Sequence, residues 1–132
     1  MSASISIQAA ADFLRDHDGY LILTHLRPDG DTVGCAAALC RALRQLGKRA
    51  FVLPNPQASS LFTPYFEGLL AEDGFAPDTV VSVDIAARGL FPDNAREYLT
   101  RVDLAIDHHP SQEFFAARTC LDAGRAACGE LI

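Results

Sequence analysis

The chain has 132 residues, of which 49% are hydrophobic and 21% charged, which suits a single globular domain whose core needs no disulfides. Its net charge of -6 and isoelectric point near 5.0 argue against a broad electrostatic footprint for duplex nucleic acid. No apolar run approaches the ~20 residues of a membrane span, and no basic segment followed by a long apolar stretch opens the chain as a signal peptide would.

In chain order, Ile7, Ala10, Ala11 and Leu14 recur at the spacing of an amphipathic helix. Ser4 or Ser6 can cap its start and Gly19 lies past its end. Tyr20 to Thr24 is a short apolar run, read as a buried strand. Val33, Ala36, Ala37, Cys40 and Leu43 mark a second helix, with Asp31 or Thr32 as N-cap and Gly47 as its stop. Arg41, Arg44 and Lys48 fall on its polar side and last turn, where cations suit the helix dipole. Ala50 to Leu53 is a second strand, closed by Pro54 and Pro56. Leu61 to Leu70 is expected to form a short helix, interrupted near Pro64.

Thr79 to Asp84 reads as a third strand. Ala86 to Leu99 is helical in pieces, because Pro92 forbids one continuous helix. Arg101 to Asp107 is a fourth strand, with Val102, Leu104 and Ile106 on one face, and Ala117 to Leu121 a fifth. Asp122 caps a last helix running to Ile132, which stops in an apolar pattern without a C-cap, as a piece of a longer chain would. Strands alternating with helices imply an α/β fold, a parallel β-sheet flanked by helices on both faces. Cysteines 35, 40, 120 and 128 form no C-x-x-C pair, so they read as reduced, buried thiols of a cytoplasmic protein rather than a zinc knuckle.

The polar residues gather where these strands end. The first strand runs into His25, Asp29 and Asp31; the third ends in Asp84; the fourth ends in Asp107, His108 and His109. In an open parallel sheet the C-terminal strand ends share one edge, and ligands bind in the crevice there. Taken singly, each element has a plainer explanation: a structural histidine, a turn with an N-cap, a strand-end cap. Together they crowd carboxylates into one crevice, where the charges repel unless protons or cations neutralise them. Carboxylates mixed with neutral imidazoles suit Mn²⁺ and similar divalent ions.

Thr24-His-Leu-Arg-Pro-Asp-Gly-Asp-Thr-Val-Gly34 resembles the first motif of the DHH-family phosphoesterases, H-x-x-P-D-G-D-x-x-G. Val83-Asp84 followed by Arg88 is similar to the second motif, and Ile106-Asp-His-His-Pro-Ser111 to the third, which names the family. Asp122 through Glu130-Leu-Ile132 resembles the segment that follows. Within the family, the chain looks most like the bifunctional oligoribonuclease (nanoRNase) and pAp phosphatase branch, which includes relatives that cleave cyclic-di-AMP or its linear product.

The resemblance implies roles at matching positions. His25 and Asp29 would hold one Mn²⁺, Asp31 and His108 the second, and Asp84 would bridge them. Asp107 and His109 would meet substrate phosphate or orient His108. Mg²⁺ or Co²⁺ are further candidates at the same ligands. The implied reaction is attack of metal-activated water on a phosphodiester or phosphomonoester of a short oligonucleotide or of 3'-phosphoadenosine 5'-phosphate, with no membrane partner. Family members often form homodimers. Position 35 is Cys where the family usually has Ser, a small residue in either case. The family's fourth motif, of Thr-Asp-Thr-Gly type, and its C-terminal DHHA1 domain fall outside these residues. The expectation is therefore a DHH metal-binding domain over 1–132, truncated before the fourth motif. Two alternatives stand beside the phosphoesterase. A manganese pyrophosphatase would usually carry Asp-Thr-Asp at Asp29-Gly30-Asp31. A non-catalytic metal- or nucleotide-binding fragment would fit the missing parts.

Overall fold

The computed structural model describes residues 3–26, 30–55, 63–72 and 75–121. They form a six-stranded sheet made of β1 (Ala3–Ile5), β2 (Tyr20–Leu23), β3 (Ala50–Val52), β4 (Thr79–Val83), β5 (Leu104–Asp107) and β6 (Arg118–Leu121). The strand order is β1-β6-β5-β4-β2-β3, and every pairing is parallel. The α/β expectation is met. The chain leaves β2 for β3 on one side and returns to β4 on the other, so a topological switch point opens between β2 and β4, the place where such sheets bind ligands.

Helix α1 (Ile7–Asp16) starts at Ser6, whose Oγ accepts the N–H of Ala9 at 3.1 Å. Of its apolar face, Ala10 and Phe13 are buried, while Ile7 stays largely exposed. Helix α2 (Gly30–Gln45) starts earlier than a cap at Asp31 or Thr32 would allow; both lie in its first turn. Its end follows the expectation. Gly47 takes φ 82°, its N–H reaches the Arg44 carbonyl at 3.0 Å, and the Lys48 N–H reaches that of Leu43 at 3.1 Å. Glycine adopts this left-handed turn without a Cβ penalty.

Both α-helices cover one sheet face. Phe13, Val33, Ala36, Leu39, Cys40 and Leu43 pack on Tyr20, Ile22, Val81, Val83, Leu104 and Ile106. The opposite face is covered by 3-10 helices at Arg88–Leu90 and Asp93–Tyr98, with Phe91, Ala95 and Val102 against Leu21, Leu23, Val80 and Ala105. Pro92 sits at the N-terminus of the second of these, in line with helical pieces rather than one helix. Full burial of β2, β4 and β5 on both faces explains why apolar residues dominate them without in-out alternation.

Three expectations are revised. Val102 does not share a face with Leu104 and Ile106, because the regular strand begins only at Leu104. Among its described residues, the Leu61–Leu70 segment forms a 3-10 helix at Thr63–Phe66, and Leu70 then pairs with Val52 as a bridge at the sheet edge. Strand β1 was not expected at all. Cys35, Cys40 and Cys120 are buried and form no disulfide among the described residues, and burial pushes the Cys40 thiol above its usual range. Cys128, Asp122 and the last predicted helix lie outside the described residues. No helix among the described residues is long and apolar enough to cross a membrane.

Candidate metal centre

The tips of β4 and β5 lie side by side, since Val83 pairs with Ile106. Asp84 follows β4 immediately, Asp107 ends β5, and His108 and His109 come next. Each offers a carboxylate oxygen or ring nitrogen, and these four atoms lie within 4.8 Å of one another. Parallel pairing therefore produces the cluster: residues 23 or more positions apart in sequence are brought to one edge.

Asp84 has φ 61°, a left-handed conformation that costs most residues roughly 1–2 kcal/mol but that Asp and Asn tolerate best. Its N–H is held by the Ile106 carbonyl at 2.9 Å. Its side chain is 6% exposed. Oδ2 accepts the hydroxyl of Thr32 at 2.9 Å, which turns Oδ1 toward the imidazoles. His108 Nε2 is 3.3 Å from that oxygen and His109 Nδ1 is 3.7 Å away. On its other side His108 Nε2 lies 3.8 Å from Asp31 Oδ2. Donors bonded at ~2.1 Å to one tetrahedral divalent ion would be ~3.4 Å apart. The distances from His108 Nε2 to Asp84 and to Asp31, and the chemistry of these groups, are compatible with a cation among them. The N-terminus of α2 adds a partial positive charge beside these carboxylates.

Asp107 is fully buried. Its Oδ1 accepts the backbone N–H of His108 at 2.8 Å and lies 2.5 Å from His109 Nδ1; its Oδ2 accepts the Gln112 Nε2–H at 2.8 Å. It thus holds the ring of His109 and the backbone of His108. His25 follows β2, next to β4 in the sheet, so it extends the same edge. It is not one of the four converging residues. Its carbonyl accepts Asn55 Nδ2 at 2.8 Å, and the same amide donates to Thr24 Oγ1 at 3.2 Å. Asp29 lies outside the described residues. Arg88 pairs with Glu113 at 3.4 Å, and Glu113 also accepts the Arg88 backbone N–H.

Several participants were not legible beforehand. Thr32 read as a helix cap, yet its hydroxyl serves Asp84 across the crevice. Cys35 Sγ sits 3.5 Å from Asp31 Oδ1, one helical turn on, and such i, i+4 contacts are readable once the helix register is known. Gln112 follows the Asp-His-His run by three residues, and only the turn that brings its N–H to the His109 carbonyl returns it to the site.

A profile of the DHH family, N-terminal domain, matches residues 20–130. The chain belongs to the DHH family. The matched span contains the four converging residues Asp84, Asp107, His108 and His109, and Asp31 beside His108. The chain is 29% identical over 140 residues to the bifunctional oligoribonuclease and PAP phosphatase NrnA of Thermus thermophilus, an alignment covering 96% of this chain and 39% of that protein. Among solved structures it is similar to an exopolyphosphatase-related protein from Bacteroides fragilis, with TM-score 0.76 and 23% identity, over 95% of this chain and 41% of that one. That likeness concerns the DHH fold. The chain spans about two fifths of the length of either protein.

Proposed function

We propose that this chain is the metal-binding domain of a Mn²⁺-dependent phosphoesterase that hydrolyses short oligoribonucleotides, 3'-phosphoadenosine 5'-phosphate, or both, in the cytoplasm. The observation that carries the proposal is the convergence of Asp31, Asp84 and His108 at the switch point of the sheet. Membership of the DHH family and the 29% identity to a bifunctional oligoribonuclease and PAP phosphatase support the substrate class.

In this reading Asp31, Asp84 and His108 hold a divalent cation, with His25 and Asp29 supplying a second position and Asp84 between the two. Bound there, a cation supplies positive charge for phosphate oxygens and lowers the pKa of a water. The protein's own groups do the remaining work. Thr32 keeps one oxygen of Asp84 occupied, so the other faces the site. Asp107 fixes the ring of His109, whose side chain is 38% exposed and can meet a phosphate or a leaving oxygen. The acidic surface disfavours duplex nucleic acid, so the substrate binds as a short strand or a nucleotide at the cation. The protein would pair as a homodimer.

The test uses Mn²⁺ with 3'-phosphoadenosine 5'-phosphate, a dinucleotide and pyrophosphate as parallel substrates. Hydrolysis of either nucleotide in preference to pyrophosphate supports the proposal. Preference for pyrophosphate would assign the chain to that alternative. Mn²⁺ binding with no hydrolysis of any substrate would support the non-catalytic metal-binding reading for these 132 residues.

A further inference from the structure

Gln112 is buried, 6% exposed, and both ends of its amide are engaged. Nε2 donates to Asp107 Oδ2 at 2.8 Å and to the Ile85 carbonyl at 3.0 Å. Oε1 accepts the Phe114 N–H at 3.0 Å. The orientation of the amide is determined by its surroundings. Turned over, Oε1 would face a carboxylate and a carbonyl while the amine faced an N–H, which places like against like at all three contacts.

The consequence passes through Asp107. An ionised carboxylate only accepts hydrogen bonds. With Oδ2 held by Gln112 and Oδ1 by the His108 backbone, Oδ1 also faces His109 Nδ1 at 2.5 Å. Beside the carboxylate form of Asp107, Nδ1 is the atom that carries the proton. In neutral His109 the lone pair is left on Nε2, at the far side of the ring. The same amide ties the end of β5 to Ile85, the residue that follows Asp84.

We propose that Gln112 is a positioning residue that acts through Asp107 to keep His109 in the Nδ1-protonated tautomer, with bare Nε2 available to substrate, and that locks the β4 and β5 tips in register. The role of Nε2 toward substrate rests on the phosphoesterase reading; the tautomer and the lock do not.

The test is long-range ¹H–¹⁵N NMR of the histidine rings in the whole, metal-free chain, at a pH above the imidazole range. Wild type should show His109 with Nδ1 protonated and Nε2 bare. Gln112→Met keeps the length of the side chain and removes its donors. It should mix the two tautomers and weaken Mn²⁺ binding by about 10-fold or more, as loss of outer-shell partners commonly does. A folded Gln112→Met protein with the wild-type tautomer and unchanged Mn²⁺ affinity would overturn the proposal. So would a wild-type His109 protonated on Nε2. Should Gln112→Met not fold, the wild-type side-chain amide decides: slow solvent exchange supports the lock, and fast exchange contradicts it. If wild type binds no Mn²⁺ while the tautomer result holds, the phosphoesterase reading fails and the positioning role stands.

Discussion

Replacing Thr32 by Val tests whether the crevice is held by a hydroxyl or by packing alone. Thr32 is 1% exposed and Asp84 4%, and the bond from Oγ1 to Oδ2 is 2.9 Å long. Val keeps the shape, and its helix propensity is close to that of Thr, so neither a cavity nor helix fraying complicates the comparison. A hydrogen bond to a charged acceptor contributes roughly 1.5–3 kcal/mol net, and neither partner here is screened by solvent. The metal-free variant should lose about 2 kcal/mol, a fall in Tm of roughly 5–10 °C for a domain of this size. Mn²⁺ affinity should drop roughly 10- to 100-fold, since the Asp84 carboxylate is then free to turn. Thermal melts and Mn²⁺ titration by calorimetry measure both effects, and Thr32→Ser should retain most of each. In an Asp84→Asn background the cost of Thr32→Val should shrink by more than half, because the charge that made the bond strong is gone. A Thr32→Val protein that melts within a degree of wild type and binds Mn²⁺ equally well would refute the reasoning.

Tyr20 donates its hydroxyl to the Leu14 carbonyl at 2.6 Å, and burial, with the nearby charges of Asp18 and Asp16, raises its phenol pKa. Its contribution to stability is therefore whole below pH ~10 and is lost as pH climbs from there toward the folded-state value. Tyr20→Phe should cost about 1 kcal/mol at neutral pH yet flatten the alkaline fall, measurable as Tm against pH. Gly19 has φ +65°, and a Cβ there would meet Asp78 Oδ2 at 2.6 Å; Gly19→Ala should cost about 1–2 kcal/mol, mostly from the backbone, read by urea unfolding. Phe91 is fully buried and packs edge-on against Phe115 at 5.1 Å. Phe91→Ala should cost about 3–5 kcal/mol, and denaturant titration would show its midpoint moving strongly down.

Where burial on both faces favoured apolar residues, the strands could be read in advance: Tyr20 to Leu23, Thr79 to Val83 and Leu104 to Asp107 are all mostly apolar. Strand β1 escaped because Ala3-Ser4-Ile5 is too short to show a period and exists through its pairing with Arg118 to Cys120. Val102 was misplaced because alternation assumes a regular strand, whereas Asp103 interrupts it and accepts the Val80 N–H at 2.8 Å with its side chain. At the site, strand ends plus charge crowding nominated His25, Asp29, Asp31, Asp84, Asp107, His108 and His109; the structure brings Asp84, Asp107, His108 and His109 together and sets Asp31 beside His108, whereas His25 is outside that group and Asp29 outside the described residues. The partners that orient them were hidden. Thr32 and Gln112 act across distances of 52 and 5 residues, and nothing in local pattern marks a side chain whose partner is set by tertiary packing.

Whether the tips of β4 and β5, with the first turn of α2, hold a divalent cation is decided by an anomalous-difference map from crystals grown with Mn²⁺. The predicted result is a peak within bonding distance of the Asp84 carboxylate and His108 Nε2, absent in Asp84→Asn, a substitution that suits the left-handed backbone at that position. A peak lying only on surface carboxylates away from these strand tips, or one unchanged in Asp84→Asn, would contradict the account.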